Sequence, residues 1–387
     1  MAGLRVALVE SHVASYRVPF LGALQERADE LTVFGCRMAE GVEARLRDLD
    51  VQVRRLPHVL LPRRRRHPYG FSMPESIEVP VRIRHELLAN QPDVVISGDL
   101  GLRSVQCASY RRETGAPLVL WTRLSEHSEL ARGPLRRAIR ERLVRSADSL
   151  VVNGASGSAY LRSIGADPVR IAVVPQALNP EAVAHERISA HGGPTRLLFV
   201  GKVVSGKGLH QLLTACRSLP AGTWTLTIVG DGDERGRLEN ECTSWNLPVT
   251  FTGGQTPPQV AAHLARSDYL VHPSLSDEWA LVVGEALASG VPVLGSVLAD
   301  AVNELVTDGE NGWKLDPTDV RQMRSVVAKA IAVDDLRRQR MSAAARSSAL
   351  RLHPDAVADT FFSALELACA RSGPPVNPPR AQHLATG

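Results

Sequence analysis

Runs of apolar residues just long enough for a strand recur through this sequence in two successive series, and that pattern allows few architectures. The first series is RVALVE (5–10), LTVFGC (31–36), VQVRRL (51–56), DVVISG (93–98), APLVLWT (116–122), SLVVNG (149–154) and RIAVVP (170–175). Helical segments, such as the amphipathic stretch from Tyr16 to Ala28, lie between them. Strands that are apolar on both faces belong in parallel sheets covered by helices on both sides. A polar stretch from Leu178 to Thr195, with Pro180, Gly192, Gly193 and Pro194, interrupts the series. The pattern then restarts with RLLFVG (196–201), a helix from Gly208, WTLTIVG (224–230), VTFTGG (249–254), YLVHPS (269–274) and PVLGSV (292–297).

The expected fold class is α/β, with two Rossmann-like doubly wound domains facing a central cleft, and 387 residues suit two domains. The boundaries expected are a first domain over 1–178, a linker over 179–194 and a second domain over 195–353. A helix over 354–371 is expected to pack back on the first domain, and the Pro-rich tail 372–387 to be disordered. Ligands of such sheets bind outside the carboxyl ends of the strands.

Composition narrows the class. No apolar run approaches the roughly 18–20 residues of a membrane-spanning helix. The opening MAGLRVALVE reads as a strand rather than a signal peptide, so a cytoplasmic protein is expected. The five cysteines, Cys36, Cys107, Cys216, Cys242 and Cys369, are scattered, with no CxxC and no Cys/His cluster. Neither a disulfide framework nor a zinc site follows. The net charge is +4 and the positive excess lies in the first half, where every lysine-or-arginine position is arginine. A run at Arg63, Arg64, Arg65 and Arg66 reads either as a solvated loop or as a contact for an anionic partner. Aromatic residues are 4% and none interleaves with the run, which argues against nucleic acid, whose bases need stacking platforms. A phosphate-bearing acceptor or anionic lipid fits better. Val59, Leu60 and Leu61 would give the loop an apolar foot on the inner face of the plasma membrane.

Chemistry concentrates in the second series. In SDEWALVVGEALASGVPVLGSV, Asp277 precedes a helix and Glu285 lies on it, eight positions on. A helix start leaves backbone N–H groups free for a ligand. Two acids so placed can hold two hydroxyl-bearing parts of one ligand, or can be an N-cap and a solvated helix acid. In LLFVGKVVSGKGLHQLL, Lys202 and Lys207 flank a loop leading into a helix at Gly208. Two ammonium groups beside a helix N-terminus form a diphosphate site. The GxxxxGK[ST] order of a Walker loop is absent.

These segments, with LTIVGDGDERGRLE, VTFTGG and NELVTDGENGWKLDP, resemble the donor domain of the family 4 retaining glycosyltransferases of GT-B fold. The match runs in order over roughly residues 196–317, and ADSLVVNGASGSAYLRSIGADPVRIAVVPQALNP resembles the family's last segment before the linker. The resemblance implies sugar transfer from an NDP-sugar, as co-substrate and with no other cofactor, to an acceptor hydroxyl. Lys207 matches the phosphate-contacting lysine, and Lys202 stands where arginine is usual. Glu285 matches the acid that holds the ribose hydroxyls. Asp277 stands at the acid facing the transferred sugar, one methylene shorter than the usual glutamate. Gly201, Glu278, Trp279, Ala280, Leu281 and Val282 fall on the donor side, Ala280 replacing a common glycine. The family's glycine-rich loop after the first strand is missing. His12, Tyr16, Arg17, Arg123 and His127 are the acceptor-side candidates. Asp231-Gly232-Asp233 has the form of a metal-binding DxD but follows a strand and reads as a turn; Asp48-Leu49-Asp50 reads likewise, and no metal is expected.

Polysaccharide or glycolipid assembly is the expected setting. Glycosylation of a small soluble metabolite stays open, as do a sugar-nucleotide epimerase or hydrolase on this fold and a degenerate nucleotide-binding protein.

Overall fold

A computed structural model of the protein describes residues 4–130, 133–183 and 192–372. The first half contains β1 (Arg5–Val13), β2 (Glu30–Met38), β3 (Gln52–Arg55), β4 (His58–Arg66), β5 (Ser72–Pro80), β6 (Val94–Gly98), β7 (Leu118–Thr122), β8 (Ser149–Val152) and β9 (Ile171–Val173). Seven of these form one parallel sheet in the order β3-β2-β1-β6-β7-β8-β9. The second half contains β10 (Thr195–Val200), β11 (Trp224–Val229), β12 (Val249–Gly253), β13 (Tyr269–His272), β14 (Val293–Ser296) and β15 (Gly312–Leu315). These six make a second parallel sheet, ordered β12-β11-β10-β13-β14-β15. Strand order reverses between β1 and β6 in one sheet and between β10 and β13 in the other. At such reversals the connecting helices diverge to opposite faces and leave a crevice at the carboxyl ends.

The two sheets share a further device. Arg5 opens β1, and its backbone N–H and guanidinium both bond Asp93, just before β6, at 2.8–3.2 Å. Arg196 in β10 makes the same set of bonds to Asp268, just before β13, at 2.8–3.2 Å. Each pair pins the two strands that flank the crevice at their opposite ends.

The chain crosses back after the second sheet. Helix Pro354–Ser372 lays Val357, Ala358, Phe361, Ala364, Leu365 and Ala368 into the core that holds Val6, Leu8, Ile96 and Trp121 of the first sheet. Phe361 meets Phe20 and Trp121 edge-on, with ring centroids 5.5 and 4.9 Å away. The helix therefore buries its apolar face in the first domain, and its burial holds the two ends of the chain together. Half of the linker expected over 179–194, residues 184–191, lies outside the described residues, as does the tail beyond 372.

Two elements differ from the sequence-based expectation. The arginine run is not a loop: it ends β4, which pairs antiparallel with β5 as a two-stranded ribbon outside both sheets, position 63 opposite 75. Proline and like charges argue against a central strand, but a ribbon with two free edges tolerates Pro62 and the arginines. At its turn the ring of His67 stacks on Phe71 at 4.6 Å. Phe71 in turn rests on Gly206 of the second domain, where an added Cβ would lie 2.8 Å from the ring. The other element is β15, whose four residues include Lys314 and are too few to show a period.

Candidate functional site

The loop after β10 turns through a 3-10 segment, Ser205–Lys207, into helix Leu209–Cys216. Gly208 joins them in the left-handed conformation (φ 69°), with Pro273 packed where a side chain would project. This tight junction brings the Lys207 loop against the loop after β13. The Gly206 carbonyl accepts from the Leu275 N–H at 2.9 Å and from the Ser274 hydroxyl at 3.3 Å. Lys207 Nζ donates to the carboxylate of Asp277. His272, the last residue of β13, places Nε2 3.1 Å from the same carboxylate oxygen.

Electrostatics define the roles open to each group. Burial alone would raise the Asp277 carboxyl, but the Lys207 ammonium and the His272 hydrogen bond hold it well below the usual carboxylate range. Burial lowers His272. The ring is thus neutral and donates from Nε2, while its buried Nδ1 has no partner among the described residues. Glu285 lies on helix Leu281–Ala288; burial raises its carboxyl, which makes no hydrogen bond to the described residues. A carboxyl of that kind gains most from a ligand that brings hydroxyl donors.

Trp279 and Ala280 are buried in the second-domain core with Val283 and Leu287. Their side chains pack, and they can face a ligand only through their backbone. Ala280 caps the helix without a side-chain hydrogen bond, which leaves the first N–H groups, at Leu281 and Val282, without intrahelical partners. Lys202 is exposed, and Gly201 ends the β10 segment in a conformation (φ 154°) open to glycine. Asp231 and Asp233 lie in the turn after β11, and Asp231 pairs with Arg235 at 3.4 Å. Among the described residues no group of three or more metal-ligand side chains occurs.

The acceptor-side candidates divide. Arg123, after β7, reaches across the cleft to Glu278 at 3.9 Å. Glu278 is exposed at the cleft, yet desolvation by the surrounding walls raises its carboxyl to about 7, against the pull of Arg123. Tyr16 and His12 are exposed, and His127 is half-buried, its imidazole pushed down by burial. Arg17, by contrast, is not available to a ligand in this arrangement. It is buried, bonds Glu10 at 2.6 Å and stacks over Trp121 at 4.2 Å.

Sequence reasoning missed the charges around it. Glu10 also faces Arg103 at 3.8 Å, and burial, which would raise it, loses to Arg17, Arg123 and Arg103. Asp99, just past β6, adopts φ 87° and bonds its own neighbour's N–H at 2.6 Å. Arg103, Arg140 and Arg123 hold Asp99 low despite its burial. These groups lie at the β1/β6 strand-order reversal. Position relative to the reversal was the available signal, since Glu10 lies in the later half of β1 and Asp99 follows β6 there.

Comparisons with known proteins bear on the family and the fold. Residues 13–177 match the "Glycosyl transferase 4-like domain" model and residues 183–348 match "Glycosyl transferases group 1". Glycogen synthase of Mycobacterium tuberculosis is 28% identical over 267 residues, 66% of this chain and 64% of the relative. The chain thus spans just under two thirds of that relative's length. A GDP-mannose-dependent alpha-mannosyltransferase of the same species is 33% identical over 48% of this chain and 45% of its own. Among solved structures, Anabaena HepE in complex with UDP superposes with a TM-score of 0.75 at 15% identity, covering 94% of this chain and all (100%) of that one. The lipopolysaccharide outer core galactosyltransferase WaaB superposes at 0.72, with 15% identity over 93% of this chain and 99% of that one. Matched family models across both halves, on two facing parallel-sheet α/β domains, place the chain among the family 4 glycosyltransferases of GT-B fold.

Proposed function

We propose that the protein is a retaining glycosyltransferase that moves a hexose from an NDP-sugar to an acceptor hydroxyl, in bacterial polysaccharide or glycolipid assembly. The observation that carries this reading is the convergence of Lys207, Asp277 and the Glu285 helix at the carboxyl end of β13. Lys207, Lys202 and the N–H groups of Leu281 and Val282 take the diphosphate and stabilise the charge that develops as it leaves. Glu285 holds the ribose hydroxyls and Asp277 a hexose hydroxyl. Asp277 is tied to Lys207 and His272 and held strongly acidic, so it is a poor base. The acceptor proton accordingly passes to the leaving phosphate, on the face the acceptor enters, and the anomeric configuration is kept.

A second reading rests on Glu278. Its carboxyl, raised to about 7 and facing the acceptor side, suits a general base, and an inverted product anomer would favour it. The relatives support a nucleotide-sugar donor but differ in base: one structure holds UDP, and one relative is named for GDP-mannose.

The first test is a thermal-shift panel of UDP, GDP, ADP and dTDP, with and without Mg²⁺. At a hundred times Kd, a native-state ligand adds about 2.7 kcal/mol of stability. One nucleoside diphosphate is expected to raise the melting temperature without Mg²⁺, and Glu285→Ala to remove the shift. A protein that shifts with a nucleotide yet turns over no donor is the degenerate case. Release of an altered sugar without any acceptor marks an epimerase or hydrolase.

Our reading of the setting is supported by β4. Val59, Leu60 and Leu61 are exposed on the ribbon, as are Arg64 and Arg66. Among the described residues no helix is long and apolar enough to cross a membrane. We assign the ribbon to peripheral contact with anionic lipid, where a basic residue contributes about 1 kcal/mol. Sedimentation with anionic vesicles is expected to fall when residues 63–66 are neutralised, and to fall for the wild type in high salt. Binding indifferent to both changes would remove the assignment.

A further inference from the structure

The ribbon of β4 and β5 reaches from one domain to the other. A two-stranded ribbon has little core of its own, and this one is held at both ends. At its root, Glu78 of β5 pairs with Arg37 of β2. Gln106 of helix Leu102–Thr114 donates to the Pro80 carbonyl at 2.8 Å. Both partners belong to the first domain.

The tip is a closed turn. The His67 N–H donates to the Phe71 carbonyl at 2.7 Å, and the Gly70 N–H to the His67 carbonyl at 2.9 Å. Gly70 takes the left-handed conformation (φ 85°) that such a turn needs. The His67 ring lies almost parallel to Phe71, 11° apart. Phe71 is 6% exposed, although it sits at the end of a ribbon that belongs to neither sheet.

The tip meets the 3-10 turn Ser205–Lys207 of the second domain. Atoms of the Phe71 ring lie 2.8–3.3 Å from where a Cβ on Gly206 would stand. Gly206 has no side chain to anchor the turn, and the ring fills the space that one would take. The Gly206 carbonyl is bonded to Ser274 and Leu275 of the loop after β13. Gly206 is therefore fixed by a ring of the first domain and by a donor-side loop of the second. The next residue is Lys207, whose N–H bonds the Val204 carbonyl at 2.9 Å and whose ammonium reaches Asp277.

We infer that Phe71 is a positioning residue for Lys207: the first domain's ribbon tip seats the lysine loop of the second, so the donor site is completed across the cleft. The inference rests on the transferase reading for what Lys207 does, not for the seating itself. Without the ring, the turn loses its support at Gly206, and Lys207 must be ordered each time a diphosphate binds.

Hydrogen exchange of the amides over residues 203–208, in the full chain, reads the seating without any substrate. Phe71→Ala is expected to exchange about tenfold faster there, because a packed ring is lost, with far-UV circular dichroism native. Phe71→Leu, which refills part of the space, should restore most of the protection. With the donor named by the nucleotide panel, Phe71→Ala is expected to lose about a hundredfold in kcat, the scale of a 1 Å misplacement, at an unchanged acceptor KM. A second variant approaches from the other side. Gly206 is outside the left-handed region, so alanine strains no backbone there and only adds a methyl against the ring. Gly206→Ala is expected to slow transfer, and adding Phe71→Ala to it to recover about tenfold by vacating that space. General loss of structure would instead make the double variant worse than either single one. Wild-type exchange over 203–208 in Phe71→Ala, or losses that simply add in the double variant, overturns the inference. A wild type that binds no nucleotide sinks the transferase reading instead, and the exchange still decides the seating.

Discussion

Lys207→Ala is expected to cut sugar transfer by about 10²–10³-fold, the cost of removing one preorganised group from developing transition-state charge, while far-UV circular dichroism stays native. Two effects combine. The leaving diphosphate loses an ammonium, and a hydrogen bond to a charged partner contributes roughly 1.5–3 kcal/mol. Asp277 loses the cation that outweighs its burial, so its carboxyl rises. In the wild type the stabilisation from ionised Asp277 is present above the ordinary aspartate range and is lost only as pH falls through its lowered value. In the variant that loss sets in at a higher pH, since only the His272 bond still opposes the burial of Asp277. The measurement is initial rate against pH with the donor found by the nucleotide panel. Lys207→Arg keeps charge but not shape, and its recovery separates the two effects. A near-wild-type rate in Lys207→Ala would remove this loop from the site.

How much of this was legible in the sequence follows from the range of each interaction. The strands of both sheets, β15 apart, were readable because an apolar run records burial on both faces locally. The donor residues were readable because Lys202, Lys207, Asp277 and Glu285 lie in two short segments, each with its own strand–loop–helix context. The partners that tune them come from elsewhere. His272 ends a strand and looks like any other strand-end residue until the fold turns it toward Asp277. Trp279 and Ala280 sit in a motif that suggests ligand contact, yet the second-domain core takes both side chains. The bond from Ala155 to Glu304 joins residues 149 positions apart, and no spacing rule reaches that far. The ribbon escaped because the arginines and Pro62 hide a strand whose stability comes from its partner strand and not from its own pattern.

Arg17→Ala is expected to destabilise the first domain by about 3–5 kcal/mol, the cost of leaving one member of a buried ion pair without its partner. Arg17 was an acceptor-side candidate, so the prediction separates two roles. A ligand contact would raise the acceptor KM and leave the urea midpoint alone. The geometry predicts the reverse. Arg17 and Glu10 are 4% and 2% exposed, their bond is 2.6 Å, and the guanidinium covers the face of Trp121. Removing the arginine strips Glu10 of its nearest cation. Arg103, at 3.8 Å and already bonded to Ser11, cannot replace it at hydrogen-bond distance. Gly98 confirms how closely the site is packed around this carboxylate: an added Cβ there would lie 2.5 Å from it. The loss should also carry a pH signature. Glu10 is held below its ordinary range, so its ion pair stabilises the wild type above that range and the benefit fades as pH falls through the lowered value. Arg17→Ala should therefore differ most from wild type near neutrality and least in acid. Replacing both partners, as Glu10→Gln with Arg17→Met, should recover much of the stability, because an uncharged pair of similar volume leaves no buried charge unmatched. If Arg17→Ala unfolds at the wild-type urea concentration, the pair is not structural, and Arg17 returns to the acceptor side of the cleft.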